Sequence, residues 1–121
     1  MKAKTNLTML CDFYELTMAN GYFQTGLADR ICYFDVFYRS VPDKGGFALA
    51  AGLAQVVEYI QELHFDEEDL GYLRSKGCFS EEFLDFLRDF RFTGDIWAVP
   101  EGTPVFPGEP ILTVRAPAIQ A

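Results

Sequence analysis

Apolar residues recur at helical spacing in four parts of the chain. This pattern predicts helices over about 12–25, over about 52–63, and in two shorter segments that begin after Asp66 and Ser80. Aspartate and serine are strong N-cap residues because their side-chain oxygens accept hydrogen bonds from the first free backbone amides. Gly26 is a typical end for the first helix, since glycine adopts the left-handed conformation without steric cost.

A different pattern predicts the strands. Residues 31–39 are rich in aromatic and β-branched side chains that alternate along the segment, and "FALAAG" predicts a second, short strand. After Gly94, prolines and glycines separate short apolar runs, which is typical of short strands joined by tight turns. We therefore expect an α+β fold, with helices and a short-stranded sheet, in one domain spanning residues 1–121.

The first predicted helix is apolar over most of its circumference. One face carries Leu10, Tyr14, Thr17, Met18 and Gly21. A second face carries Met9, Phe13, Leu16 and Phe23. Only Cys11, Glu15 and Ala19 are expected near an edge that faces water. We expect this helix to be buried on nearly all sides, with Asp12 and Glu15 at capping-box spacing at its start.

The charge of the chain narrows the choice of partners. It carries 18 acidic and 10 basic residues, a formal net charge of −8. Binding to DNA or RNA depends on basic groups that contact phosphates, and no basic stripe is visible, so nucleic acid is not expected as a partner. A phosphorylated small molecule is compatible with this charge, because one or two well-placed cations are enough to bind it.

Cysteine use and hydropathy point to the cytoplasm. Cys11, Cys32 and Cys78 are odd in number and form no C-x-x-C pair, which favours reduced thiols and no metal site. No signal peptide is visible, and no apolar run reaches the ~18 residues of a membrane span, so we expect no membrane partner. The final residues, "AIQA", show no stop or capping feature, and we expect the protein to continue beyond them.

Three ordered segments carry a resemblance to a known family. They are "CDFYELTMANGYF", "FDVFYRSVPDKGGFALAAGL" and "FRFTGDIWAVPEGTPVFPGEPILTV". Together they resemble the N-terminal region of nicotinate phosphoribosyltransferase over essentially the whole chain. The elements D-x-Y-x-L-T-M and G-D-x-x-A-x-P-E-G-x-x-x-F-P-G-E-P are long and specific.

The resemblance implies a larger enzyme, with an N-terminal α/β domain of the nicotinate and quinolinate phosphoribosyltransferase type. A barrel-like domain built of βα units would follow it and is missing from these residues. Such enzymes join nicotinate to phosphoribosyl pyrophosphate, giving nicotinate mononucleotide for NAD salvage, with Mg²⁺ and ATP coupling through a phosphorylated histidine. They are expected to be homodimers with the active site at the subunit interface. No catalytic residue or bound cofactor is expected in residues 1–121, which alone should be inactive, and His64 is interpreted as a surface or cap residue.

The resemblance assigns substrate contacts to the first helix. It implies that Tyr14 stacks on the pyridine ring and reaches the active site of a neighbouring subunit, whereas the pattern alone favours an ordinary core ring. Asp12 either caps the helix or orients a cation or hydroxyl of the site, because a bare carboxylate would repel the nicotinate anion. Thr17 either hydrogen-bonds within the site or bonds back to its own helix.

The expected phosphate contact is Arg39, at the end of the first strand. Its guanidinium suits a phosphate or pyrophosphate, and the alternative is a salt bridge to one of the many acids. The amides of Gly45 and Gly46 could also approach an anion. Glu101 is interpreted as a turn residue and Trp97 as core.

Other functions are kept as alternatives. The pyridine substrate could be nicotinamide or quinolinate. A non-enzymatic barrel-sandwich carrier would need an exposed lysine at a hairpin tip, for which Lys44 is the only candidate. A separate regulatory or scaffolding protein is a third alternative.

Overall fold

The computed structural model describes residues 5–41 and 43–121. Its helices there are α1 (Phe13–Thr25), α2 (Leu53–Glu62), α3 (Glu67–Ser75) and α4 (Glu81–Arg88). Its strands are β1 (Ile31–Val36), β2 (Ala48–Leu49), β3 (Asp95–Ala98), β4 (Pro104–Val105) and β5 (Leu112–Pro117). The predicted α+β class is confirmed.

The last strand in the sequence is the central strand of the main sheet. Strand β5 lies between β1 and β3 and runs antiparallel to both, with Val114 opposite Phe34 on one side and Ile96 on the other. Strands β2 and β4 form a separate two-stranded sheet. Strand β1 stops at Val36, earlier than predicted, because the next residues leave the main sheet to bind the segment that follows β4.

The buried core lies where α1, α3 and α4 meet. Its members are Leu16, Phe65, Leu70, Leu73, Phe83, Leu84, Leu87, Phe90 and Ile119. Both short helices are capped as predicted, since the Ser80 hydroxyl accepts a hydrogen bond from the Phe83 amide at 3.2 Å. Asp66 forms a full capping box with Asp69. The helical core is therefore fixed at its ends by local side-chain bonds and in its middle by aromatic packing.

Gly94 joins this helical core to the main sheet. A Cβ at this position would lie 2.5 Å from the Arg115 carbonyl oxygen and 2.6 Å from the Ala116 Cβ. No side chain fits there without moving the backbone, so glycine is what allows β3 to approach β5 as it leaves α4.

The expectation that the first helix is buried on nearly all sides is wrong. Leu16 is the buried residue of α1, Phe23 and Ala19 are partly buried against the core, and the opposite face is open. Trp97, expected in the core, is 56% exposed on a sheet face that no described element covers. Apolar composition indicates which surfaces are suited to burial, but burial also requires a neighbouring element. Within the described residues, no element covers the open face of α1 or the sheet face that carries Trp97.

Candidate functional site

The outer face of α1 is an exposed apolar surface that includes Tyr14. Leu10 is 78% exposed, Tyr14 is 59% exposed and Met18 is 48% exposed. Among the residues that the structure describes, no group bonds to the Tyr14 hydroxyl. We call Tyr14 and Met18, together with Leu10 just before the helix, the α1 outer face. It presents a flat ring and a free phenol to whatever lies beyond the domain.

The inner face of α1 holds that surface in place. Phe13, the residue before Tyr14, meets Phe79 edge-on with 5.8 Å between ring centroids. Further along, Phe23 packs at 5.7 Å from Phe83 and 5.4 Å from Phe86. These contacts fix the rotation of the helix about its axis, so the direction in which Tyr14 projects is set by core packing rather than by the ring itself.

The predicted capping role of Asp12 is not realised. Asp12 occupies the N-cap position of α1, but its side chain makes no capping hydrogen bond. The reason is local: the Glu15 amide, which a capping carboxylate would accept from, already donates to the Asp12 carbonyl oxygen at 3.1 Å. The exposed carboxylate is therefore available for a contact outside the helix.

The charges at the start of α1 act on a neighbouring thiol. Partial burial raises the pKa of Cys11, and the nearby carboxylates of Glu15 and Asp12 raise it further. A raised pKa keeps the thiol protonated at neutral pH, which is the wrong direction for a nucleophilic cysteine. The same end of the helix is thus electronegative, and an anionic ligand here needs a cation supplied by another element.

Thr17 bonds back to its own helix. Its hydroxyl donates to the Tyr14 carbonyl oxygen at 2.9 Å, which is one of the two roles predicted for it. This bond leaves the hydroxyl oxygen with acceptor capacity on the same side of the helix as Tyr14. Asp12, Tyr14 and Thr17 therefore lie together on the first two turns of α1 or just before them.

Arg39 lies on a different element, beyond the end of β1. It is exposed, and none of the described residues pairs with its guanidinium. The alternative prediction of a salt bridge is therefore not supported within these residues. No hydrogen bond or ion pair in the described part of the chain joins Arg39 to the α1 residues.

In the turn at residues 43–46, one of the two glycine amides that could approach an anion is already bonded within the chain. The Gly45 amide donates to the Asp43 side-chain oxygen at 3.1 Å, so a carboxylate already occupies that donor. Lys44 is exposed with a positive φ of 59°, on a loop between β1 and β2. These strands belong to different sheets, so Lys44 is not at the tip of a hairpin as a carrier lysine requires.

Comparison with known proteins identifies the family. Residues 9–121 match the model for the nicotinate phosphoribosyltransferase (NAPRTase) N-terminal domain. The chain belongs to this family. It is 47% identical over 113 residues to nicotinate phosphoribosyltransferase pncB2 of Mycobacterium tuberculosis, covering 93% of this chain and 24% of that protein. It is 35% identical to nicotinate phosphoribosyltransferase of Bacillus subtilis, covering 96% of this chain and 24% of that one.

A solved structure shares the fold of this NAPRTase N-terminal domain. The crystal structure of human nicotinic acid phosphoribosyltransferase matches with a TM-score of 0.82 and 34% identity, covering 91% of this chain and 23% of the human chain. The 121 residues thus span about a quarter of the length of the relatives that they match.

Two acidic side chains of this NAPRTase N-terminal domain have roles that sequence reasoning missed. Glu101, interpreted as a turn residue, accepts hydrogen bonds from the Gly52 amide and, at 2.9 Å, from the Leu53 amide, so it caps α2 from the far end of the chain. Glu109 accepts from the Phe106 amide at 3.1 Å. The signal for Glu101 is the lack of a capping side chain at the N-cap position of α2, where Gly52 stands.

His64 of the NAPRTase domain lies just after α2. The His64 Nδ1 lies 2.6 Å from the Glu62 carbonyl oxygen at the end of α2, which fits the predicted cap role.

Among residues 5–41 and 43–121, no three His, Cys, Asp or Glu side chains group as metal ligands. In the same part of the chain, none of the helices is both long and apolar enough to cross a membrane.

Proposed function

We propose that this domain is the N-terminal part of an enzyme that transfers phosphoribose from phosphoribosyl pyrophosphate to nicotinate. Membership of the NAPRTase N-terminal domain family supports the proposal, as do the names of the relatives. The observation that carries it is the exposed Tyr14 ring, held outward on α1 by packing of the opposite face. The product is nicotinate mononucleotide, used for NAD salvage in the cytoplasm.

The chemistry proposed is a displacement at the anomeric carbon of the ribose. The nicotinate ring nitrogen forms a bond to that carbon while the bond to the pyrophosphate oxygen breaks, and the electron pair leaves with pyrophosphate. Such a step asks the protein mainly for positioning and charge stabilisation. Tyr14 stacks on the pyridine ring, and Arg39 binds the phosphate groups. Thr17 and Asp12 orient polar groups at the edge of the ring.

The remaining parts of the proposal concern the complete enzyme. The described residues hold no metal-ligand group, so no step above is assigned to a metal on this domain. Mg²⁺, when bound in the complete enzyme, supplies charge neutralisation of pyrophosphate, and ATP hydrolysis is coupled to the transfer. We also propose a homodimer in which the α1 outer face of one subunit completes the active site of the other, since that face is open in the single domain.

Substitution of Tyr14 tests the proposal in the complete enzyme. Tyr14→Ala should raise KM for nicotinate by roughly threefold to tenfold, as expected for the loss of one stacked ring, and leave KM for phosphoribosyl pyrophosphate unchanged. Tyr14→Phe, which keeps the ring, should stay close to wild type. Tyr72, also an exposed helical tyrosine at 50% exposure, provides the matched control Tyr72→Ala.

Two outcomes contradict the proposal. Equal effects of Tyr14→Ala on both KM values indicate a folding role, and an equal effect of Tyr72→Ala indicates a nonspecific one. We further propose that the 121-residue chain alone has no transferase activity. Nicotinate mononucleotide formed by the purified chain above the blank, measured by liquid chromatography, contradicts that statement.

A further inference from the structure

The residue before Arg39 is anchored on both its side chain and its backbone. The Tyr38 hydroxyl donates to the Val105 carbonyl oxygen at 2.6 Å, across a sequence separation of 67 residues. The Gly108 amide donates to the Tyr38 carbonyl oxygen at 2.9 Å. Val105, which receives the phenol, is only 4% exposed. Two hydrogen bonds therefore tie Tyr38, in an otherwise irregular segment, to β4 and to the turn that follows it.

The segment that receives Tyr38 is itself a closed turn. The Phe106 amide donates to the Glu109 carboxylate at 3.1 Å, and the Glu109 amide donates back to the Phe106 carbonyl oxygen at 3.2 Å. Gly108 has a φ of 82°, which a side chain would strain. Strand β4 at the start of this segment pairs with β2. Tyr38 is thus held by an ordered turn rather than by another loose loop.

Arg39 differs from three of the other five arginines in its surroundings. Arg74, Arg88 and Arg115 each pair with a carboxylate at 3.0 Å or less. Arg39 has no such pair among the described residues, although the chain carries 18 acids. Tyr38 is half-buried, whereas Arg39, which follows it at a bend of the chain, is exposed, so an anchored residue stands directly before an exposed arginine.

We infer that Tyr38 is a positioning residue that holds Arg39 toward the phosphate groups of the substrate. The inference rests on the proposed function. An arginine that binds an anion loses less conformational freedom when its backbone is already fixed. The hydrogen bonds of Tyr38 therefore lower the entropic cost of binding the phosphate groups. The phenol touches no substrate and acts only through the position of the neighbouring guanidinium.

A double-mutant cycle in the complete enzyme tests this inference. Tyr38→Phe removes only the hydroxyl and should raise KM for phosphoribosyl pyrophosphate by about threefold to tenfold, the range of one neutral hydrogen bond. Arg39→Ala should raise the same KM by about tenfold or more, as for a bond to a charged group. The double variant should be no worse than Arg39→Ala alone, because the hydroxyl has nothing left to position. KM for nicotinate should stay unchanged in all three.

Tyr33→Phe is the matched control. Tyr33 lies on β1, the strand that precedes Tyr38, and its phenol oxygen accepts a hydrogen bond from Arg115 Nε at 3.1 Å, so the change removes a comparable hydroxyl away from Arg39. It should leave both KM values unchanged. The Tm of every variant is measured alongside to separate a loss of stability from a loss of position.

The possible failures are distinguishable. If Arg39→Ala leaves KM for phosphoribosyl pyrophosphate unchanged, the phosphate role of Arg39 in the proposed function is overturned. If Arg39→Ala raises it but Tyr38→Phe does not, only the positioning role is overturned. Additive effects of the two changes, or an equal effect of Tyr33→Phe, also overturn the positioning role.

Discussion

The carboxylate of Asp66 accepts a backbone hydrogen bond that holds the start of α3. Its oxygen lies 2.9 Å from the Asp69 amide, and the Asp69 side chain accepts in return from the Asp66 amide at 3.1 Å. Asn6 donates to both carboxylates from the N-terminal segment. The hydrogen bond from the Asp69 amide lowers the pKa of Asp66 below its ordinary value of 3.8, and the Asn6 amide lowers it further.

We predict an acid-sensitive contribution from this cap. A carboxyl group with a lowered folded-state pKa stabilises the fold above its unfolded pKa, and that contribution is lost as pH falls through the folded pKa. Asp66→Asn cannot titrate, so its free energy of unfolding should fall less than that of wild type between about pH 5 and pH 2. Urea unfolding at a series of pH values measures this. Parallel curves for the two proteins would show that Asp66 is not the titrating group.

At the residue scale, the sequence predicts what depends on near neighbours. Asp66 and Ser80 cap as predicted because the amides that they bind lie three residues away. Asp12 does not cap, because the backbone carbonyl of the same residue takes the amide first. Tyr14 is favoured as a substrate contact only through the family motif, and Arg39 is suggested by its guanidinium and favoured slightly by the resemblance, since neither exposure nor the lack of a pairing carboxylate can be read from spacing.

At the element scale, α2 begins without a local cap. Gly52 stands at its N-cap position with a φ of 104°, and the carboxylate of Glu101 supplies the missing acceptor. The same turn is tied back by the Gly102 amide, which donates to the Ala50 carbonyl oxygen at 2.7 Å. A negative charge at the N-terminal end of a helix also interacts favourably with the helix dipole. The start of α2 therefore depends on a residue 49 positions away.

Glu101→Ala should destabilise the protein by about 1 kcal/mol, the usual cost of removing a helix cap, and speed amide hydrogen exchange in the first turn of α2. Glu101→Gln, which keeps an acceptor oxygen, should lose less. Glu82→Ala is the control. Glu82 lies exposed in the first turn of α4, and its side chain makes no hydrogen bond to a described residue. Hydrogen exchange that is unchanged in α2 after Glu101→Ala would argue against the long-range cap.

The periodicity of apolar residues predicted the four helices, but it did not predict how far α1 and α2 are buried. The apolar positions of α2 follow helical spacing, yet Val56 is 38% exposed and Val57 40% exposed. For α1 the full apolar circumference led to an expectation of full burial, and one face proved open. A helical pattern identifies the sides that are suited to burial, while the neighbour that buries them is a property of the whole assembly.

At the scale of the whole molecule, the surface is large for the mass. The accessible surface is 8389 Å² for a 13.7 kDa chain, whereas a folded monomer of that mass has about 6,600 Å². The large apolar side chains at the surface include the α1 outer face and Phe34, Val36 and Phe37 around the end of β1. Exposed apolar surface of this extent is typical of a domain that packs against a partner.

We predict that the isolated chain self-associates. Burial of the α1 outer face favours association, and the net charge of −8 opposes it, so the apparent mass by light scattering should rise with protein concentration and with salt. Met18→Glu, which adds a charge to the α1 outer face, should lower it, whereas Tyr72→Glu on α3 should not. A monomer at every concentration and salt would show that the open face does not bind a second copy.

The position of β5 in the middle of the main sheet has a consequence during synthesis. Strand β1 leaves the ribosome first but has no partner until residues 112–117 emerge, and β3 waits for the same strand. Ile119, just after β5, belongs to the helical core as well. Because the main sheet needs residues 112–117 and the helical core needs Ile119, the nascent chain closes this part of the fold in one late step rather than strand by strand, with the aromatic residues of β1 unpaired until then.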